Sequence, residues 1–431
     1  MYSSHKHKGE SDMKKVLVIF LVFCMALGML FAGGTSESAD KVKLTFSSWR
    51  TEDVPVYEEL ISMFEAENPG ISVTYRPYKT EEYQTVLAAN FKGGSAADII
   101  HLRAYGNFEQ FAQPGYLLPL TKDNIPELEM YSKQSLAGST SINDGKVYGV
   151  PYASQSLVIY YNTALYEELG LKAPKTWAEF MSNLEACKKA GVTPLANGSY
   201  TGWMVEVMSG IVGPNFFGGN EFYEELISGK TDFTDVRYQK ALEAVASLTP
   251  YMPKGFTGLD YVEQQMLFIN DMAAHFLGGI WEASYFASQN PDLKFDIFVA
   301  PPLKEGDKTL ISTYMDGSFG INKASAHQEE AIKFVRFLAQ EKAQQFLSDK
   351  LGVKTEHPDV VPSSSFLKKV SDPSLSTVPY IMLVGFRYEQ PTGSSLVQTG
   401  LQALLSGEYD SKRVVNEIQE GVAQYYKPFQ K

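Results

Sequence analysis

Residues 149–180, "GVPYASQSLVIYYNTALYEELGLKAPKTWAEF", hold the change of architecture around which the rest of the chain is arranged. Pro151 and Tyr152 mark a corner, since proline fixes φ and biases the preceding residue to extended geometry. "SLVIYYN" is rich in β-branched and aromatic residues and reads as a strand. Tyr160 and Tyr161 point to opposite faces of it, so at most one reaches any cleft, and both are assigned to structure. "TALYEELG" reads as a short helix ended by Gly170, and "TWAEFMSNLEACKKAG" as a helix capped by Thr176 and closed by Gly191, with Trp177 in the core. "VTPLANG" is a further strand running into a loop.

Upstream, "KVKLTFSSW" alternates Val42, Leu44 and Phe46 on one face; Asp53 and Pro55 open a helix carrying Tyr57, Leu60, Ile61 and Phe64 at helical spacing. "ISVTYRPY" is a second strand, a helix covers Tyr83 to Phe91, and "AADIIHL" is a buried strand. A β-α-β-α-β series of this kind implies a parallel sheet with helices on its faces, and such sheets place ligands at the carboxyl ends of their strands. Those ends are "SSWRTED" and "HLRAYGN". Downstream, 197–287 reads as mostly helical with Gly-rich breaks, and "FDIFVAPP" as a strand leaving that region. No short repeat and no low-complexity linker separates the two halves.

At 431 residues the chain is too long for one ordinary core and calls for two large lobes or three small ones. Its 25 Tyr, 26 Phe and 4 Trp exceed what a core needs and point to ligand surfaces built by stacking. Lys14, Lys15 and the apolar run "VLVIFLVFCMALGMLFA" form a signal peptide with a cut after Ala32 and Met13 as the start; an uncleaved anchor is the rival, and a lipid anchor is not favoured because "LFAGG" lacks a cysteine at the cut. The expected product is an exported, periplasmic or extracytoplasmic chain with Cys187 alone and no internal disulfide. Removing residues 1–32 takes away four lysines and two acids and moves the net charge from −12 to −14, which excludes nucleic acid as a partner.

"DGKVYGVPYASQSLVIYYNTALYEELGLKAPKTWAEF" closely resembles the corresponding segment of the extracellular solute-binding proteins of ABC transporters, in the sugar-binding family that includes maltose-binding protein. "FEAENPGISV", "AADIIHL", "PGYLLPL", "GGIWEASYF", "FGINKAS" and "EEAIKFVRFLAQEKAQQFL" follow in that family's order, so the resemblance spans essentially the whole mature chain. It implies an α/β, two-lobed periplasmic-binding-protein fold of type II, each lobe a mostly parallel sheet flanked by helices, with the ligand cleft at the hinge. The first lobe is expected from 41–152 with 299–350 and the second from 153–298 with 351–431. It also implies a monomer without cofactor that closes on a sugar and delivers it to permease subunits in the membrane.

A sugar site needs flat rings for C–H faces and carboxylates, amides and arginines for hydroxyls. On the first strand's exit lie Trp49, Arg50 and Glu52; Tyr105 follows the third strand. By resemblance Gln155 lies just past the hinge, Asn197, Tyr200 and Trp203 on the second lobe's binding loop, Trp281 with Glu282 at the stacking tryptophan, Asp316 and Gly317 on a returning loop, and Arg387 at a late contact. His101 and His275 are assigned to the interior, and no zinc-type spacing is present. Arg50, Arg103 and Arg387 keep an anionic polyol such as a glycerophosphodiester as the alternative. A glycoside hydrolase is the enzymatic rival; it needs two carboxylates about 5 to 9.5 Å apart, for which Glu52, Glu282 and Asp316 could converge. No G-x-S-x-G or P-loop element is present.

Overall fold

β4 (Val150–Asn162) and β8 (Leu310–Ile321) run through the middle of a nine-stranded sheet, and each changes partners part-way along. The remaining strands are β1 (Val42–Ser48), β2 (Ile71–Pro77), β3 (Ile99–Arg103), β5 (Thr193–Leu195), β6 (Ala273–Gly279), β7 (Phe295–Phe298) and β9 (Ser376–Pro379). Their order is β2-β1-β3-β8-β4-β6-β5, with β7 on β4 and β9 on β8. The computed structural model describes residues 41–430; the signal peptide, its cleavage after Ala32 and the start at Met13 lie outside them. Among the described residues no helix is long and apolar enough to cross a membrane.

β8 pairs with β3 through Gly317–Ile321 and with β9 through its first four residues, while β4 leaves β8 to pair with β6 and β7 from Leu157 onward. The β4–β8 register shifts at Ala153 and Ser154, a bulge at the corner that Pro151 announces. β4 is antiparallel to β6, β7 and β8, and β3 to β8; β1–β3, β5–β6 and β8–β9 are parallel. The expected mostly parallel sheets are therefore mixed, because strands that return between two halves of a sheet enter without a crossover helix.

Local periodicity is honoured where the burial pattern is local. The helix Val54–Glu67 buries Tyr57, Leu60, Ile61 and Phe64. Trp177–Lys189 starts on Thr176, whose hydroxyl accepts from the Glu179 N–H, and ends at Gly191 with φ +80°. One apolar core, with Leu87, Ile100 and Phe108, lies beside β1–β3. Two others lie beside β4–β7: Leu157, Phe180 and Val245 belong to one, Val158, Phe276 and Phe286 to the other. Ala300 packs in the former and Ile311 in the latter, so part of 299–350 lies with the β4–β7 cores and not with the first-lobe core. A small cluster of Ala104, Tyr105 and Met315 fills the crossing itself.

Candidate ligand-binding site

A cavity of about 210 Å³ opens at the crossing and widens into a cleft of about 1070 Å³, and residues lining both include Arg50, Glu52, Trp203, Tyr261 and Trp281. The exits of β1 and β3 supply Trp49, Arg50, Glu52 and Arg103, and β8 supplies Tyr314 and Asp316. The facing wall comes from three helix starts: Trp203 and Glu206 on Gly202–Val212, Tyr261 at the head of Tyr261–Ile269, and Trp281 just before Glu282–Gln289. Helix starts bring rings to one edge because the preceding strand or loop ends there. Asp260 secures the second of them with a full capping box with Glu263.

Trp203, Tyr261 and Trp281 form one aromatic wall: Tyr261 meets Trp203 edge-on at 4.6 Å between centroids, and the two indoles lie 6.4 Å apart. Behind it Glu282 is fully buried and accepts from Tyr261 Oη (2.7 Å), Trp281 Nε1 (2.9 Å) and Gln265 Nε2 (2.7 Å). Burial pushes its carboxyl up to about 7, against the three donors and with a small push from the like charge of Glu52.

The opposite wall is polar. Trp49 is only 3% exposed; its ring is stacked on His101 at 4.0 Å and lies 4.6 Å from the Arg103 guanidinium carbon, so protein groups occupy its faces. Arg50 donates to Asp53 and is 3.0 Å from Glu52. Arg387 pairs with the fully buried Glu206 at 3.2 Å, where Ser394 and Gln398 also donate. Arg103 donates to a carbonyl, Thr80 O, at 3.2 Å. Burial disfavours its charge, Asp316 offsets part of that, and Arg387 adds to it.

Of the residues expected from sequence, Trp49, Arg50, Glu52, Trp203, Trp281, Asp316 and Arg387 line the inner cavity, and the exposed Tyr200 lies at the mouth. Four others lie outside the lining of both the cavity and the cleft. Gln155 is 1% exposed and holds Asp316 through its Nε2 at 2.9 Å. Asn197 is fully buried and bonds both backbone groups of Leu277, which fastens its loop to β6. Tyr105 packs in the crossing, where its hydroxyl accepts from the Met315 N–H at 3.1 Å. Gly317 makes room: a Cβ there would stand 2.5 Å from Leu102 O and 2.7 Å from Trp49 Cη2. Glu282 presents no exposed surface and is not part of the inner cavity's lining, although it belongs to that of the wider cleft.

His275 lies in the interior with both ring nitrogens bonded, to Pro194 O and Tyr166 Oη, and burial lowers its pKa to about 4. His101 is equally buried, with Nε2 unpartnered. Glu206, Tyr261, Tyr314 and Tyr380 were not singled out. A lone acid in the apolar helix "GWMVEVMSGIV" was the available signal for Glu206; an aromatic at the first position of a capped helix was the signal for Tyr261. Among the described residues no group of His, Cys, Asp and Glu is arranged to hold a metal ion.

The model of the bacterial extracellular solute-binding protein family matches residues 48–345, more than half of the chain. The multiple sugar-binding protein of Streptococcus mutans is 26% identical over 72% of this chain and 74% of its own length. The maltodextrin-binding protein MdxE of Bacillus subtilis is 23% identical over 96% of this chain and 99% of its own. A solved chitin oligosaccharide binding protein superposes with a TM-score of 0.77 at 24% identity, over 90% of this chain and all of its own; a raffinose complex of the solute-binding protein RafE does so with 0.75 at 20%, over 91% and all. These neighbours share the expected two-lobed fold. The chain belongs to the bacterial extracellular solute-binding proteins.

Proposed function

We propose that this protein captures a carbohydrate by hinge closure outside the cytoplasm and delivers it, as a monomer and without turnover, to the permease of an ABC importer. The observation that carries this is the pairing of an aromatic wall, Trp203, Tyr261 and Trp281, with a facing set of hydroxyl-binding groups, Arg50, Arg103 and Asp316, across one cavity. Rings take the apolar faces of a pyranose and the charged groups take its rim. Relatives that carry sugar-binding names support the same class.

Charge matching favours a neutral sugar over a glycerophosphodiester. Arg50 is matched by Glu52 and Asp53, and Arg387 by Glu206; Asp316 and Glu81 add negative charge to the same cavity. An anionic ligand would meet Arg103 but also these carboxylates, and like-charge contact is costly in a poorly solvated site.

We set the boundary between the lobes at the pairing of Ser154 of β4 with Met315 of β8, beside the register shift. On this division 299–313 moves to the second lobe, in keeping with the packing of Ala300 and Ile311. Closure about the bulged pair brings the two walls together around the ligand, whose extra contacts in the closed form shift the population. The N-terminal segment is cut after Ala32, which releases the mature chain.

Calorimetry and small-angle scattering on the chain from Gly33 onward test this with maltotriose, raffinose, triacetylchitotriose and glycerophosphocholine. A sugar that binds and reduces the radius of gyration supports the proposal. Binding of glycerophosphocholine alone, or release of a shorter sugar, overturns it.

A further inference from the structure

Two rings of the aromatic wall depend on one fully buried side chain. Trp281 occupies the link between β6 and the helix Glu282–Gln289, and its indole is folded back over Gly279, where a Cβ would stand 1.7 Å from Cζ3. Tyr261 comes from a different helix, twenty residues earlier. Both donate to the same oxygen of Glu282, the indole N–H at 2.9 Å and the phenol at 2.7 Å, while Gln265 occupies the other oxygen at 2.7 Å. Glu282 is fully buried and outside the inner cavity's lining, and its oxygens face these donors. Among the described residues it forms no ion pair, and the charged group acting on it across the cleft is Glu52, of the same sign. A buried carboxyl without a cation is costly and is retained where its hydrogen bonds set a geometry.

We propose that Glu282 is a positioning residue for ligand binding: it acts through Trp281 and Tyr261 by locking the angle between the two rings, and makes no contact with the ligand itself. This rests on the carbohydrate reading above for its ligand, but the ring geometry is open to test without any ligand. A glutamine here keeps one acceptor oxygen for both aromatic donors, and its amide can face Gln265, whose own amide turns to accept. A leucine fills the space with no acceptor and frees both rings.

The test uses the mature chain with Glu282→Gln, Glu282→Leu and Tyr261→Phe, each with and without Trp281→Phe so that the fluorescence of Trp281 is obtained by difference. Acrylamide quenching reads the indole in the unliganded protein, and calorimetry reads affinity for maltotriose, raffinose and triacetylchitotriose. Glu282→Gln is expected to keep the Trp281 quenching constant and to bind within about threefold of the parent. Glu282→Leu is expected to raise quenching at least about twofold and to weaken the sugar about tenfold or more, with cooperative unfolding retained. Tyr261→Phe, which keeps the ring and loses one bond, falls between them and decides the matter if Glu282→Leu does not fold.

Equal loss in the glutamine and leucine variants overturns the proposal, since it makes the charge itself a ligand contact. Unchanged quenching and affinity in both Glu282→Leu and Tyr261→Phe overturns it as well. If the parent binds none of the three sugars, the carbohydrate reading fails, and the quenching constants alone then decide whether Glu282 sets the wall.

Discussion

The guanidinium of Arg103 lies 4.6 Å from the centre of the Trp49 ring, and the imidazole of His101, two residues earlier on β3, stacks on that ring at 4.0 Å. Trp49 is thereby a platform for a cation at the edge of the cavity. Truncating it creates a void under the cavity, so Trp49→Ala should cost about 3–5 kcal/mol by urea denaturation. Arg103→Met keeps a stem over the indole but removes the hydrogen-bond donors, and should weaken sugar binding about tenfold with little change in stability. A stable Trp49→Ala, or an Arg103→Met of full affinity, would show that the stack does neither job.

Glu206, on the helix Gly202–Val212, has no exposed surface and holds Arg387, Ser394 and Gln398. Removing one partner leaves the other charge buried and unpaired. Glu206→Ala should therefore destabilise the fold by about 3–5 kcal/mol, and combining it with Arg387→Met should recover part of that loss. Strictly additive single and double variants in a double-mutant cycle would exclude this coupling.

Glu282 gives stability a pH dependence of unusual sign for a carboxylate. Its folded pKa is raised by burial from 4.5 to about 7, while Tyr160, Tyr261, Tyr285 and Glu52 face it and supply no positive charge. The folded state therefore binds the extra proton between these values, so the contribution is fully present below pH 4.5 and is lost as pH rises through about 7. The loss amounts to about 3 kcal/mol. Glu282→Gln cannot titrate and should gain that much relative to the parent between pH 4.5 and 8; a difference in denaturation free energy that stays flat with pH would contradict the shift.

Asn197 separates support from site. Its side chain closes two hydrogen bonds with Leu277, at 2.9 and 2.8 Å, in a fully buried position. Asn197→Ala strands both backbone groups and should cost about 1–3 kcal/mol, while the sugar affinity of the folded protein stays unchanged. A selective loss of affinity without loss of stability would restore Asn197 to the ligand shell.

Sequence by itself determined the elements and the side of the cleft on which most candidate residues stand. The periodicity of Tyr57, Leu60, Ile61 and Phe64, the cap at Thr176 and the stop at Gly191 are written in neighbouring residues, because helix burial and capping are local. Strand ends point to one edge of a sheet, which is why Trp49, Arg50 and Glu52 were found, whereas Asp316, expected on a loop from the family resemblance, lies inside β8. Only the tertiary structure decided which of them face the cavity. Asn197 is claimed by Leu277, eighty residues away, Gln155 by Asp316 and Arg387 by Glu206, and such pairings follow from strand order and helix packing that no local pattern encodes. The partner exchange along β4 and β8 is of the same kind: Pro151 announces the corner, but which strands pair on either side of it is decided by neighbours distant in sequence.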